Sequence, residues 1–415
     1  MKRAIFIFFL LIFGNEALAA PTVRYVDLRA LVETKNERVK AKEKEHSAAE
    51  LRQGSLLRSF LPRVEIYGAQ EKFKKGRRMF STQPAYGAEA TVNLFNAGRD
   101  RMEESRRKLV TERKVHERKL TMVEELANAR EQYWEILFLR DALLLRKEAQ
   151  ELNQKNLGAA ERRIKSGVST EVDRVDFEMK SVELKQENER AELELRNEKA
   201  LLALSLGMDG DTEMTIPDKL DHDHNLEEAL SHEAKDHEFL LLPRELAIEE
   251  INLAARAEGR SYWPKLDVYA GWNQFNEREE DPPLARDRTE TVFGLKLSLN
   301  IFDGFASRRE AAALNMEADA ASLELAYLRR ESEAHIHNEI TELKLLHGQV
   351  HEAESNTKRA LRYYSLTQSE YGRGVKNSPD VLGAAEKLFQ TKLKHIAIIR
   401  DFQIAKAHVL SKMGR

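Results

Sequence analysis

Ile164-Lys165-Ser166-Gly167-Val168 is followed, six residues past its glycine, by Asp173; Tyr371-Gly372-Arg373-Gly374-Val375 is followed at the same distance by Asp380. Gly167 and Gly374 stand 207 positions apart, and so do Asp173 and Asp380. Long stretches of mixed charged and apolar residues flank both copies. A glycine at a helix end takes the left-handed conformation that other residues resist, so each copy predicts the tip of a helical hairpin.

Working outward from the first tip, 69 residues from Ala97 to Lys165 contain no proline. Val115, Met122, Ala129, Ile136 and Leu143 recur seven apart, with Leu126 and Tyr133 on the interleaved row. A seven-residue apolar repeat predicts packing along a left-handed supercoil. At about 1.5 Å per residue such a helix is roughly 100 Å long, more than any one globular core requires. A returning helix is expected from Val168 to Leu206-Gly207. Upstream, Val26 to Arg58 reads as helix with no breaker before Gly54, and Phe60-Leu61-Pro62 stops it.

Between these helices the period changes from 3.6 to 2. Val64 and Ile66 alternate with Glu65 and Tyr67; Ala88, Ala90, Val92 and Leu94 alternate with Glu89, Thr91, Asn93 and Phe95. Two strands are expected within 60–96, joined by a polar turn from Lys74 to Gly87.

Everything then recurs. After an Asp- and Gly-rich connector, Met208 to Asn225, helix is predicted over Leu226 to Gly259. Tyr262-Trp263-Pro264 answers Phe60-Leu61-Pro62, and a second hairpin over 262–303 surrounds a loop from Asn276 to Arg288. Helix resumes from Phe305 to Tyr371 and returns from Asn377 to Met413-Gly414. The chain is therefore an internal duplication. Its first repeat is 20–225 and its second 226–415, with helix, two strands, long helix, tip and helix in each. Two short helices stacked end to end match the length of one long helix in both repeats.

The first residues carry an address. Lys2-Arg3, the ten apolar residues Ala4 to Phe13, and Ala17-Leu18-Ala19 read as a secretory signal peptide over 1–19. Cysteine is absent from all 415 residues, which removes disulfides, thiol catalysis, cysteine metal sites and a lipid anchor on cysteine. No later stretch has the ~18 consecutive apolar residues of a membrane helix. Net charge is −3, with 67 basic and 70 acidic residues interleaved, which gives no electrostatic reason to bind nucleic acid. No phosphate loop, catalytic triad spacing or zinc helix motif is present, so no enzyme and no cofactor is expected. Asp221-His222-Asp223-His224 carries metal-ligating side chains, yet a polar connector yields the same string, and no metal is expected there. His335 and His337, two apart on a helix, point to different faces.

Four strands per chain leave edges that must be paired or covered. Apolar and polar residues alternate along them, with Phe60, Tyr67, Phe95, Tyr262, Trp263 and Phe302 near the strand ends, the pattern of an outer-membrane barrel. Such a barrel takes about eight or more strands, so several chains must contribute. A dimer supplies eight strands and a trimer twelve; three chains set twelve strands above twelve helical columns, and the trimer is preferred. A soluble periplasmic coiled-coil interaction protein is the alternative.

Leu61-Pro62-Arg63-Val64 and Trp263-Pro264-Lys265-Leu266 open the hairpins, and Leu94-Phe95-Asn96-Ala97-Gly98 and Ile301-Phe302-Asp303-Gly304 close them. With Gly167 and Gly374 at the tips, these motifs resemble the TolC-type outer membrane factors over about residues 26–414. The resemblance implies a mainly α-helical fold with a membrane β-barrel. It implies a homotrimer whose twelve-stranded barrel, set in outer membrane lipid, continues as a coiled-coil helical tunnel across the periplasm. It implies a passive exit duct for tripartite efflux or type I secretion, opened by a periplasmic adaptor and served by an inner-membrane pump of RND or ABC type. It also implies a periplasmic aperture. Asp173 matches its acidic partner, Tyr371 its tyrosine and Asp380 one acid of its constricting ring. Lys376 stands where a relative has arginine, so any tie to Asp173 would lack the forked geometry. Gly383 replaces a second ring acid, and Asn36 is followed by Glu37 where an Asn-Pro is common. The adaptor-contacting tips would be Gly167, Val168, Ser169, Thr170, Gly374 and Val375.

Overall fold

Asn36 shows how local chemistry sets the first helices. Its side chain accepts hydrogen bonds from the backbone N–H groups of Arg38 and Val39, an N-cap that ends α1 (Leu28–Lys35) and starts α2 (Glu37–Gln53). The helix expected from Val26 to Arg58 is thus broken at Asn36. The same amide donates to Glu125 Oε2 (3.0 Å) and to the Ser205 carbonyl (2.8 Å), and the residue is buried. After Gly54, a 3-10 turn over Leu56–Phe60 leads into the sheet.

The computed structural model describes residues 21–74, 80–222, 238–280 and 283–414. The segment read as a signal peptide lies outside them, as do Asp223, His224 and the start of the helix expected from Leu226. The remaining elements are β1 (Arg63–Lys74), β2 (Phe80–Asn96), α3 (Arg99–Lys165), α4 (Glu171–Ser205), α5 (Glu238–Glu258), β3 (Lys265–Glu280), β4 (Pro283–Ser298), α6 (Ala306–Gly372) and α7 (Ser378–Lys412). α6 begins and ends 207 positions after α3, and α7 does the same relative to α4.

α3 and α6 each run for 67 residues, which places their ends about 100 Å apart. α1, α2 and α4 line α3, while α5 and α7 line both α3 and α6. Towards the sheet the helices lie in the order α2, α3, α5, α6; towards the tips the order is α4, α3, α7, α6. The short helices do stack end to end. A Cβ on Gly207, just past α4, would meet the Lys35 carbonyl at 2.2 Å, and one on Gly414, just past α7, would meet Phe239 at 3.3 Å.

The heptad row on α3 holds in part. Leu126, Ala129, Tyr133 and Ile136 are buried against Leu28, Val32, Leu202 and Leu206. Val115 is 46 % exposed instead. At that end α3 meets α5 through charge: Arg113 and Arg106 lie 3.1 and 3.6 Å from Glu250, and Arg99 lies 3.1 Å from Glu258.

The four strands form one antiparallel meander, β1-β2-β3-β4, with a bulge between Asn93 and Phe95. The strands are longer than alternation predicted, reaching well into both segments read as turns, Lys74 to Gly87 and Asn276 to Arg288. A backbone ladder needs no apolar face, so pairing continues where the residues turn polar. β4, conversely, stops at Ser298, short of Leu299 and Ile301. Val64↔Ala90, Ala90↔Ala270 and Ala270↔Phe293 are Cα partners, as are Val92↔Val268 and Val268↔Leu295. One face is therefore a continuous apolar surface across all four strands, and Ile66, Phe293, Leu295 and Leu297 on it stand exposed. The other face carries Glu65, Glu89, Thr91, Asn93, Asp267 and Lys296. Among the described residues no helix is long and apolar enough to cross a membrane.

The joint between sheet and helix is fixed by Asp303. Its carboxylate accepts from the Ala306 and Ser307 backbone N–H groups, the Ser307 hydroxyl and the Tyr262 hydroxyl. The Ser307 and Tyr262 hydroxyls hold its pKa down to about 2.

The connector lies as a strap around mid-molecule. Thr215 pairs with the extended Thr22, Asp218 accepts from the Tyr133 hydroxyl (2.6 Å), and Gln403 on α7 donates to the Asp221 carbonyl (2.7 Å). Burial, then the charge and hydrogen bond of Asp218, push the Tyr133 phenol far above its ordinary value.

Candidate functional site at the hairpin tips

Both tips are built from the same cap. Gly167 (φ +75°) and Gly374 (φ +81°) are left-handed. The Val168 N–H reaches the Arg163 carbonyl and the Gly167 N–H the Ile164 carbonyl; Val375 to Glu370 and Gly374 to Tyr371 repeat the pattern. That is the Schellman arrangement, which satisfies carbonyls at the end of a helix. Thr170 and Asn377 then take extended conformations at the N-caps of α4 and α7.

Past the caps the copies differ. In the second, Asn377 and Asp380 form a reciprocal capping box, and Lys376 Nζ lies 3.6 Å from Asp380. Both partners are half exposed, so this pair contributes little to stability. Lys376 therefore pairs within its own tip and does not meet Asp173 inside the chain. In the first copy, Asp173 accepts from the Ser169 hydroxyl on one side. On the other side it reaches the second hairpin, where the Ser378 hydroxyl (2.6 Å) and backbone N–H (3.4 Å) donate to it. The Ser378 oxygen also lies 2.8 Å from Asp176, so one hydroxyl proton serves two carboxylates. Burial pushes the Asp173 carboxyl up, but the Ser169 and Ser378 donors and the Arg163 charge outweigh it. The net pKa is below the ordinary value.

Arg163 and Tyr371 form the second tie. The guanidinium donates to the Tyr371 carbonyl (2.6 Å) and sits 4.0 Å from the centre of its ring. Phe177 meets that ring edge-on at 6.3 Å. Tyr371 is 2 % exposed, and its hydroxyl is enclosed beside the Ser169 and Arg163 side chains. Burial, followed by the Asp173 charge, pushes the phenol up. Ala160, Phe177, Tyr364, Val381 and Ala384 pack beneath it as the apolar core of the tip.

Val168 and Val375 project from the two turns, 59 and 71 % exposed. A Cβ on Gly374 would lie 3.6 Å from Val168, whereas Gly167 and Gly383 face open space. The structure thus brings Asp173 and Tyr371 into one cluster at the seam between the hairpins. Lys376 and Asp380 lie on the outer turn of the second. Ser378, Arg163, Asp176 and Phe177 complete the seam and were not singled out from sequence. Ser378 had one legible signal, its place at the first position of a helix opened by a capping box. The others are set by how two hairpins meet.

Residues 230–415 match the model of the outer membrane efflux protein family. No curated protein matches the chain. Several solved structures share the fold over almost the whole length. The outer membrane protein VceC from Vibrio cholerae aligns with a TM-score of 0.75 at 12% identity, covering 93% of this chain and 96% of that one. The Campylobacter jejuni CmeC outer membrane channel aligns at 0.76 and 13%, covering 94% and 85%. The open state of the Neisseria gonorrhoeae MtrE outer membrane channel aligns at 0.72 and 13%, covering 94% and 89%.

Proposed function

We propose that this chain, an outer membrane efflux protein by the family match of its second half and by its fold throughout, is one of three subunits of a passive exit duct. The single observation that carries the reading is the four-stranded sheet. Its apolar face is bare, and its outer strands β1 and β4 each pair on one side only among the described residues. An open apolar sheet with two free edges is an aggregation site in water and a barrel wall in a bilayer. Three copies close the edges into twelve strands, with β4 of one chain meeting β1 of the next.

The helices support the same assembly. Val172, Val175, Met179 and Val182 are exposed along α4, the outermost helix on one side near the tips. Leu361 and Leu366 are exposed at the same height on α6, the outermost on the other. Two apolar stripes on opposite flanks are what a ring of identical chains covers by packing each subunit against the next. The ring's helices form the tunnel, about 100 Å long by the rise of α3 and α6, crossing the periplasm below an outer-membrane barrel.

The tips form the periplasmic aperture. Asp173, Tyr371, Lys376 and Asp380 hold it closed, with Asp173 and Tyr371 locking the two hairpins of one chain together. Gly167, Val168, Ser169, Thr170, Gly374 and Val375 meet a periplasmic adaptor, which with an inner-membrane pump of RND or ABC type supplies the energy and the selectivity. The subunit itself makes and breaks no covalent bond; it conducts. Cell fractionation tests the reading: the protein should sediment with outer membrane and leave it only in detergent. Recovery as a fully soluble monomer would overturn the reading.

A further inference from the structure

The connector brings His222 against two histidines that lie 125 and 129 positions later in the chain. Gln403 anchors the Asp221 carbonyl, and Leu220 packs onto the Leu343, Val350 and Phe402 cluster. His222 is thereby laid over Phe402, with ring centres 4.8 Å apart. His347 and His351, one helical turn apart on α6, complete a triangle. Ring centres are 4.9 Å apart for His222 and His347, 5.5 Å for His222 and His351, and 5.6 Å for His347 and His351. His222 Nε2 and His347 Nδ1 are separated by 3.1 Å. The Asp221 carboxylate is adjacent, accepting from the His222 backbone N–H.

We propose that His222, His347 and His351 bind a divalent transition cation of the zinc type, with the fourth position left to water or an incoming ligand. Neutral imidazole is the preferred donor for such ions. Zn–N bonds of about 2.0–2.1 Å in a tetrahedron put ligand nitrogens about 3.3 Å apart and ring centres about 5 Å apart. A hydrogen bond between two imidazoles accounts for the 3.1 Å contact by itself, but it gives no role to a third ring on the same helix face. Among the described residues no three donors already surround one point. Binding must therefore draw His351, which is exposed, inward by side-chain rotation. Placed there, the ion clips the strap between the repeats to the middle of α6. The Asp221-His222-Asp223-His224 run, read from sequence as a plain polar connector, supplies the first ligand.

The test is calorimetric titration of Zn²⁺ into the full-length protein in detergent. One saturable ion per chain is expected. His222→Gln and His347→Gln should each weaken binding by at least about tenfold, the lower bound seen when even an outer-shell partner is lost. His351→Gln should do the same, and because that side chain is exposed the substitution leaves the core intact. His337→Gln, on an exposed part of α6, should change nothing. Absence of saturable uptake by the unaltered protein, or equal uptake by the His222→Gln/His347→Gln double variant, would overturn the proposal.

Discussion

Asp173 and Tyr371 carry different kinds of interaction, and substitutions separate them. Asp173 is held by hydroxyl donors from both hairpins, so Asp173→Ala frees Ser378 and loosens the seam; resting conductance in planar bilayers should rise. The same seam should weaken in strong acid. The Asp173 pKa is lowered on folding. Its contribution is therefore complete above the ordinary carboxylate value of about 3.9 and is lost as pH falls through the lowered one. Tyr371 is anchored by its ring and carbonyl, and its hydroxyl is buried. That hydroxyl lies enclosed between the two hairpins, beside Ser169 and Arg163 and within the field of Asp173, so removing it alters the seam inside each chain. Tyr371→Phe should then also raise resting conductance while leaving the fold of each chain intact. A conductance unchanged in both variants would remove these residues from the proposed gate.

At the scale of elements, the ends of the long helices were legible and their interruptions were not. Gly167 and Gly374 mark helix ends by a backbone conformation that only glycine adopts cheaply, a local property visible in one chain position. Asn36 was not legible as a break because an asparagine with no Gly or Pro beside it marks a helix end only weakly. Its cap bonds are local, but the partners that fix its amide, Glu125 and the Ser205 carbonyl, arrive from α3 and α4. Asn36→Ala should lose about 1 kcal/mol of capping and a further 1–3 kcal/mol from the buried Glu125 it leaves underbonded, measured by denaturant unfolding in detergent. The glycines test the stacking of the columns. Gly167→Ala pays only the left-handed backbone, about 1–2 kcal/mol. Gly207→Ala adds a collision with the Lys35 carbonyl, worth about 1–3 kcal/mol more by the usual cost of overpacking. Equal losses in the two variants would mean that α4 does not abut α1. Strand ends were illegible for a plainer reason. Apolar alternation marks the stretch that faces a nonpolar medium, and the ladder runs on past it. The tip partners Ser378 and Arg163 were hidden because each is chosen by contact across some 200 residues.

For the whole molecule, duplication explains the geometry that no single motif does. Two copies of one plan join their hairpins in one sheet at one end, place their tips at the other, and leave apolar residues exposed on opposite flanks of the chain. The bare sheet face and the apolar flanks are expensive in water, and the proposed closed ring of three covers them together. The most direct test is single-channel recording after the detergent-extracted protein is reconstituted into a planar bilayer. Discrete, uniform conductance steps that grow when Asp173 is replaced by alanine are the predicted result. A protein that inserts no steps at any concentration would contradict the account.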